Sequence, residues 1–225
     1  MQKLFSQEIR FKPVLSGAEG QDDGSDASTT LSTSFPEWEN IKLDNLLLTK
    51  IDNRGKTPPL TRSGIPLIEI NAIGKKIIDY SKVTKYVDDE TYTNWFRNYL
   101  KEGDVLFSTV GQTAISSIYE ERPLSAIAQN IVGLRFNEQH CSVFMFYLLN
   151  EISNNRKFKR IEMGAVQPSI KVSQFIHLKF LFPIVSEQNK IAKFLSILDK
   201  KINNTTQLIE TGKDFKNSLL QKMFV

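Results

Sequence analysis

The chain has one cysteine, Cys141, and two histidines, His140 and His177, among its 225 residues. A lone cysteine excludes a disulfide framework within the chain and fits a reducing compartment. The two histidines have no metal-ligand spacing with each other or with Cys141, so both are expected to be structural. No apolar run approaches the roughly 20 residues needed to span a bilayer, and the N-terminus lacks the basic-then-apolar order of a signal peptide. These absences lead to the expectation of a soluble cytoplasmic protein with no membrane partner.

Catalytic signatures are also missing. Gly55-Lys56-Thr57 resembles the end of a phosphate-binding loop, but Lys50 stands where that motif needs its first glycine, and Pro58 and Pro59 obstruct the helix that should follow. Acid-x-Lys steps of the nuclease type occur only at Asp199 to Lys201 and Asp214 to Lys216, in a helical tail. No Gly-x-Gly-x-x-Gly turn and no Asn/Asp-Pro-Pro-Tyr/Phe methyltransferase signature appear. Ser108, Ser116 and Ser169 have no adjacent base. The chain therefore reads as a binding module, not an enzyme, with no metal and no cofactor of its own.

What is present begins with a repeat. Met1-Gln2-Lys3-Leu4-Phe5 returns as Leu220-Gln221-Lys222-Met223-Phe224. The second copy ends a heptad-patterned segment, whereas the first runs into polar sequence as if cut from such a helix, so the chain reads as one unit of a module-plus-helix array. Forty per cent hydrophobic content at this length is enough for a real core.

Three regions follow. Residues 1–34 form an N-terminal segment and, from Ser16 to Ser34, a linker of Gly, Ser, Thr and Asp. Residues 35–186 carry short apolar runs that look like strands, Ile65 to Ile70, Val105 to Phe107, Ile131 to Phe136 and Leu178 to Phe182. Helical patterns cover Asp89 to Tyr99 and Val143 to Asn154, giving an α+β class with a mixed α/β domain. Residues 187–225 show a coiled-coil seam of Ile191, Leu195, Leu198, Ile202, Thr205, Ile209, Gly212, Leu219 and Met223, with Lys216 as its poor position. A continuous helix there would run about 57 Å. Its stripe needs a partner helix rather than a fold back on its own domain, although Asn203 to Thr206 and Gly212 weaken it.

Charge is distributed unevenly although the net value is only +4. Seven cations between Arg54 and Tyr86 (Arg54, Lys56, Arg62, Lys75, Lys76, Lys82 and Lys85) face only Glu69 and Asp79, and Arg156, Lys157, Lys159 and Arg160 form a second cluster. Local fields of this kind can grip phosphates, but charge alone does not separate that from a solvated lysine face. The loops add polar groups. Arg54 to Pro59 sets cations beside a glycine, Ser108 to Thr113 offers hydroxyls and an amide after a strand, and Gln129-Asn130 and Gln167 to Lys171 supply further amides. Taken singly, each is equally a self-capped turn.

Phe35-Pro36-x-Trp38 leading to Leu43, Gly55 to Pro58, Gly64 to Ile68, Gly103 to Ser108, Gln167 to Ile170, and Pro183-Ile184-x-x-x-Glu187-Gln188-x-x-Ile191-Ala192 follow one another along the chain. In this order they resemble a specificity subunit of Type I restriction-modification systems, from Phe35 to the C-terminus. The resemblance implies a target recognition domain reading one half of a split duplex DNA sequence, and a long helix pairing antiparallel with that of a second module. It also implies modification subunits that bring S-adenosylmethionine and methylate adenine, and a restriction subunit that uses ATP and Mg. Complete subunits hold two modules and this chain one, so it is expected to be either a half subunit that pairs with itself or the second half of a longer subunit.

On this reading Arg54, Lys56, Arg62, Lys75, Lys76, Arg160 and Lys171 are the phosphate candidates, and Thr57, Thr109, Gln112, Thr113 and Gln167 the base-reading candidates. A rival from another class is a protein-interaction adaptor whose helix merely dimerises. It explains the heptads equally well and the basic, amide-rich loops less well.

Overall fold

Alternation along two central strands builds two cores back to back. In the computed structural model, which describes residues 1–8, 10–11, 35–53 and 55–223, strands β1 (Glu39–Lys42), β2 (Leu47–Ile51), β3 (Ile65–Ile68) and β4 (Tyr86–Val87) precede helix α2 (Asp89–Trp95), itself preceded by α1 (Gln2–Phe5). Next come β5 (Val105–Ser108), β6 (Ser116–Ile118), β7 (Ala126–Ile127), β8 (Ile131–Phe136), α3 (Ser142–Leu149) and α4 (Ile152–Ile161). The chain closes with β9 (Glu162–Met163), β10 (Ser169–Ile170), α5 (Val172–Phe175), β11 (Lys179–Phe182) and α6 (Val185–Met223). The expected linker, residues 16–34, and Arg54 lie outside the described residues.

The main sheet has the order β2-β8-β5-β6 and is antiparallel throughout. Every residue of β5 is buried. Because side chains alternate across a strand, Val105 and Phe107 enter one cluster with Phe144, Phe158 and Phe175, while Leu106 enters the other with Ile68, Tyr119 and Ile127. A Cβ on Gly133 of β8 would come within 3.1 Å of both Ile51 and Leu100, so glycine is what lets the sheet close on that layer. A second sheet, β4-β3-β7, covers the Leu106 side. β1 pairs with β11, joining the two ends of the domain.

Three expected boundaries are corrected. The run expected as strand from Ile65 to Ile70 is strand only to Ile68, then a 3-10 turn over Ile70–Ala72. The helix beginning at Asp89, capped by the Asp88 carboxylate on the Thr91 amide at 2.7 Å, stops at Trp95, because Phe96 turns extended and enters one cluster while Leu100 enters another. The helix expected over Val143 to Asn154 is two helices. At the break the Asn150 side-chain amide donates to Phe146 O and to Ser116 Oγ, and Glu151 starts the second helix by accepting from the Asn154 amide.

Residues 1–11 pack as part of the domain where they are described. Leu4 and Phe5 are buried, with the Phe5 ring 5.7 Å from Phe144 and edge-on to Trp38. Arg10 donates from Nε and Nη2 to Glu187 at 3.2 and 2.7 Å, and Trp38 Nε1 adds a third bond to the same fully buried carboxylate. Breaking such a pair by removing one partner costs about 3–5 kcal/mol, so this contact fixes the start of α6.

α6 is continuous through Asn203 to Thr206 and Gly212, and its 39 residues make a rod of about 58 Å. Its first turns are docked, with Glu187, Gln188, Ile191, Ala192 and Leu195 buried. From Lys200 onward every described residue is exposed. The seam is therefore corrected at its root. Ile191 and Leu195 belong to the core cluster of Phe144 and Phe182 and are not free for a partner, whereas Leu198, Ile202, Ile209, Leu219 and Met223 project on the free rod. Among the described residues no helix is long and apolar enough to cross a membrane.

Candidate nucleic-acid interface

The loop after β5 is built to be stiff. Ser108 Oγ accepts the Ile115 amide at 2.9 Å, and the backbones of Ser108 and Ile115 pair as well, pinching residues 109–114 into a closed loop. Gly111 at φ 83° supplies the left-handed turn that a side chain would strain. Thr109 is buried, its amide and hydroxyl both donating to Asn130 O at 2.8 and 3.1 Å, and its carbonyl accepting from Ile170. The Gly111 amide donates to Pro168 O, and the Thr113 hydroxyl to the Glu162 carboxylate. Thr57 Oγ1 reaches Gln129 Oε1 at 3.3 Å.

These bonds link the loop at residues 109–113 to residues 129–130 and to the β9–β10 hairpin, and residues 55–57 to Gln129. The tips left exposed are Lys56, Thr57, Gln112, Gln129 and Gln167. Of the base-reading candidates, Gln112 and Gln167 are exposed, Thr57 and Thr113 are engaged with neighbouring loops, and Thr109 is a buried strut. The hairpin turns at Gly164, where a Cβ would meet Gln167 O at 2.5 Å. Beside it stands Val166, fully exposed, an apolar group of the kind that contacts thymine methyls. Sequence reading missed it, since one valine in a polar turn carries no pattern.

The cations divide. Lys56, Arg62, Arg160 and Lys171 are exposed. Lys75 pairs with Asp79 at 3.2 Å but stays largely exposed, whereas Lys76 Nζ donates to Ser196 Oγ on α6 at 2.9 Å and so belongs to the root of the helix. Lys159 is held on Glu162 at 2.8 and 3.0 Å. Lys159 and the Thr113 hydroxyl together keep the Glu162 carboxyl below the usual carboxylate range, leaving a fixed negative charge within an otherwise basic surface.

Of the two histidines, His140 is built into the packing. His140 packs against Phe182 with ring centroids 5.9 Å apart and meets Gln188 Nε2 at 3.3 Å, and burial pushes its pKa down. His177 is exposed, and among the described residues no group of His, Cys, Asp or Glu could hold a metal ion. A stiff frame presenting amides, hydroxyls and a few cations can hydrogen-bond base edges and phosphates.

The profile of the family described as Type I restriction modification DNA specificity domain matches residues 36–211. The putative type I restriction enzyme MjaX specificity subunit of Methanocaldococcus jannaschii is 31% identical over 200 residues, covering 84% of this chain and 45% of that protein. The chain thus spans about half the length of the curated relative it matches. Among solved structures, the HsdS subunit from Thermoanaerobacter tengcongensis superposes with a TM-score of 0.55 at 15% identity, over 83% of this chain and 41% of that one. The S subunit of a Type I system from M. genitalium gives 0.51 at 16%, over 82% and 44%. A chain from a study of assembly and conformational transition in the type I R-M system gives 0.58 at 15%, over 80% and 44%. At these identities the likeness shows a shared fold.

Proposed function

The chain belongs to the family of Type I restriction-modification DNA specificity domains, and from that premise we propose that it reads one half of a bipartite duplex DNA target without catalysing any step itself. The observation that carries this is the bonded set of loops around Thr109, which holds Gln112 and Gln167 outward on a frame that cannot easily rearrange. Base edges are discriminated by donors and acceptors fixed in direction, and phosphates by exposed cations. Lys56, Arg62, Arg160 and Lys171 fit the second role. The free rod of α6 fits a pairing element that joins this module to another and offers a surface to modification subunits. S-adenosylmethionine, ATP and Mg would then act on those and on the restriction subunit.

The experiment is a genome-wide adenine methylation map from cells carrying this chain with its modification subunit, beside titrations of duplex DNA at several salt concentrations. A split motif and a steep salt dependence are expected. A folded chain that gives neither methylation nor salt-sensitive duplex binding would return the adaptor reading.

A further inference from the structure

The tip of the β9–β10 hairpin carries an apolar group that does nothing for the fold. Met163 pairs with Ser169 and Glu162 with Ile170, so residues 164–168 make the turn. Val166 within it is 100% exposed, Ala165 is exposed beside it, and Met163 is 40% exposed. Turns favour Gly, Asn, Asp and Ser, and a valine with no buried surface adds no hydrophobic stability. Single exposed apolar residues are ordinary on protein surfaces, but this one is held in place. Gly164 at φ 88° doubles the chain back so tightly that a Cβ there would meet Gln167 O at 2.5 Å. Ile170 is buried in the core cluster and its amide donates to Thr109 O at 2.7 Å, while the Gly111 amide donates to Pro168 O at 2.8 Å and Val110 bridges to Ser169. Valine itself is stiff about χ1, so the tip presents its methyl groups in few directions.

We propose that this hairpin enters the major groove of duplex DNA as a two-stranded ribbon and that Val166 reads the C5-methyl group of one thymine. The proposal rests on the DNA-reading role and names one base which that role would recognise. The order of side chains along the hairpin carries it. Arg160 and Lys171 are exposed and flank the two strands at the base, Gln167 is exposed on the turn, and the tip is apolar. A groove has the same order with depth, with phosphates at its rim, base edges below them and, on the major-groove side alone, thymine methyls. From Met163 to Ile170 there is no charged side chain. The tip can therefore approach base edges without stripping water from an ion.

Dimensions agree. Paired strands lie about 4.8 Å apart, so a ribbon with its side chains fits a major groove about 12 Å wide and not a minor groove of about 6 Å. Side chains that wedge between base pairs are mostly longer ones such as Phe, Leu, Ile and Met. Valine is shorter, and its two methyl groups suit contact with a third. Glu162, the carboxylate of the hairpin, is engaged at the base by Lys159 and the Thr113 hydroxyl rather than left at the tip.

The test uses the full chain with its modification subunit and duplexes carrying the split motif that the methylation map yields. Each thymine of one half-site is replaced in turn by uracil, which removes a single methyl group and leaves base pairing unchanged. Uracil at one position is expected to weaken binding about fourfold, as the burial of one carbon group predicts. Val166→Ala should weaken binding of the parent duplex several-fold and abolish the difference between thymine and uracil at that position alone. It should leave the salt slope unchanged, because no phosphate contact is lost. Since Val166 is fully exposed, its replacement should also leave Tm unchanged. A half-site without thymine, or a uracil effect at no position, overturns the methyl contact while the sequence-specific binding itself leaves the DNA-reading role standing. A uracil effect that persists in Val166→Ala overturns the assignment to that residue. A complex that methylates nothing and binds all duplexes alike removes the DNA-reading role and this proposal with it.

Discussion

Tyr147 donates its hydroxyl to Asp199 Oδ2 across 2.6 Å, joining α3 to α6 one turn beyond Leu195, the last buried apolar residue of the long helix. Burial, with Asp199 adding to it, pushes the tyrosine pKa up to about 12, so the proton stays in place at any physiological pH. Lys76 binds Ser196 on the same stretch. The direction in which the rod leaves the domain is therefore set by polar contacts after the apolar ones end. Tyr147→Phe should cost about 1 kcal/mol, a few degrees in Tm, because Asp199 can turn to water. Its main effect should be a broader distance distribution between spin labels at Lys101 and Thr211. An unchanged distribution in Tyr147→Phe combined with Lys76→Met would show that apolar docking alone aims the rod.

His140 gives the domain a mild acid sensitivity. Its pKa is depressed because burial disfavours the imidazolium, so the unfolded chain takes a proton that the folded one declines. Stability is then full above the ordinary imidazole value of about 6.5 and falls as the pH drops from there toward the lowered folded value. His140→Gln should flatten the dependence of Tm on pH between about 7 and 5. If both proteins lose Tm in parallel over that window, another group is responsible.

Much of this was legible from the chain, and the failures share one cause. The expected strand Ile131 to Phe136 matches β8 to the residue because its apolar run stops at Asn137, a local signal that decides local structure. The break at Asn150 was not read, because it depends on Ser116, far away in sequence. Ile191 and Leu195 obey the same spacing as Leu198 and Ile202, and periodicity shows that a stripe will be covered without showing by what. Lys76 looked like Lys56 for the same reason, since nothing near it in sequence announces Ser196. The amide-bearing loops were found by composition, but their joining through Asn130, Pro168 and Glu162 is tertiary. That joining turns Thr109 from a reader into a strut.

Glu162 is a negative charge where phosphates are expected, and it holds Lys159. Glu162→Gln keeps an acceptor for the Thr113 hydroxyl and frees the ammonium. Affinity for duplex DNA of any sequence should rise several-fold at low salt, and the slope of log affinity against log salt should steepen by about one. An affinity gain confined to one sequence would instead mean that the carboxylate contacts a base.

Gln112 and Lys56 are both exposed on linked loops, yet the chemistry of the two side chains predicts opposite behaviour. An amide can match a particular pattern of donors and acceptors on a base edge, so its loss should be felt at one position of the target. An ammonium meets phosphates, which are the same on every sequence. Competition titrations with a cognate half-site and single-base variants should show Gln112→Ala lowering discrimination at one position by about 1–3 kcal/mol, with little change for other sequences. Lys56→Ala should weaken all of them alike and reduce the salt slope by about one. Lys75→Ala should do less than Lys56→Ala, because Asp79 already engages that ammonium. If Gln112→Ala leaves the ratio of cognate to variant affinity untouched, the reading groups lie elsewhere on the frame, with Gln167 and Val166 on the neighbouring hairpin the next to replace.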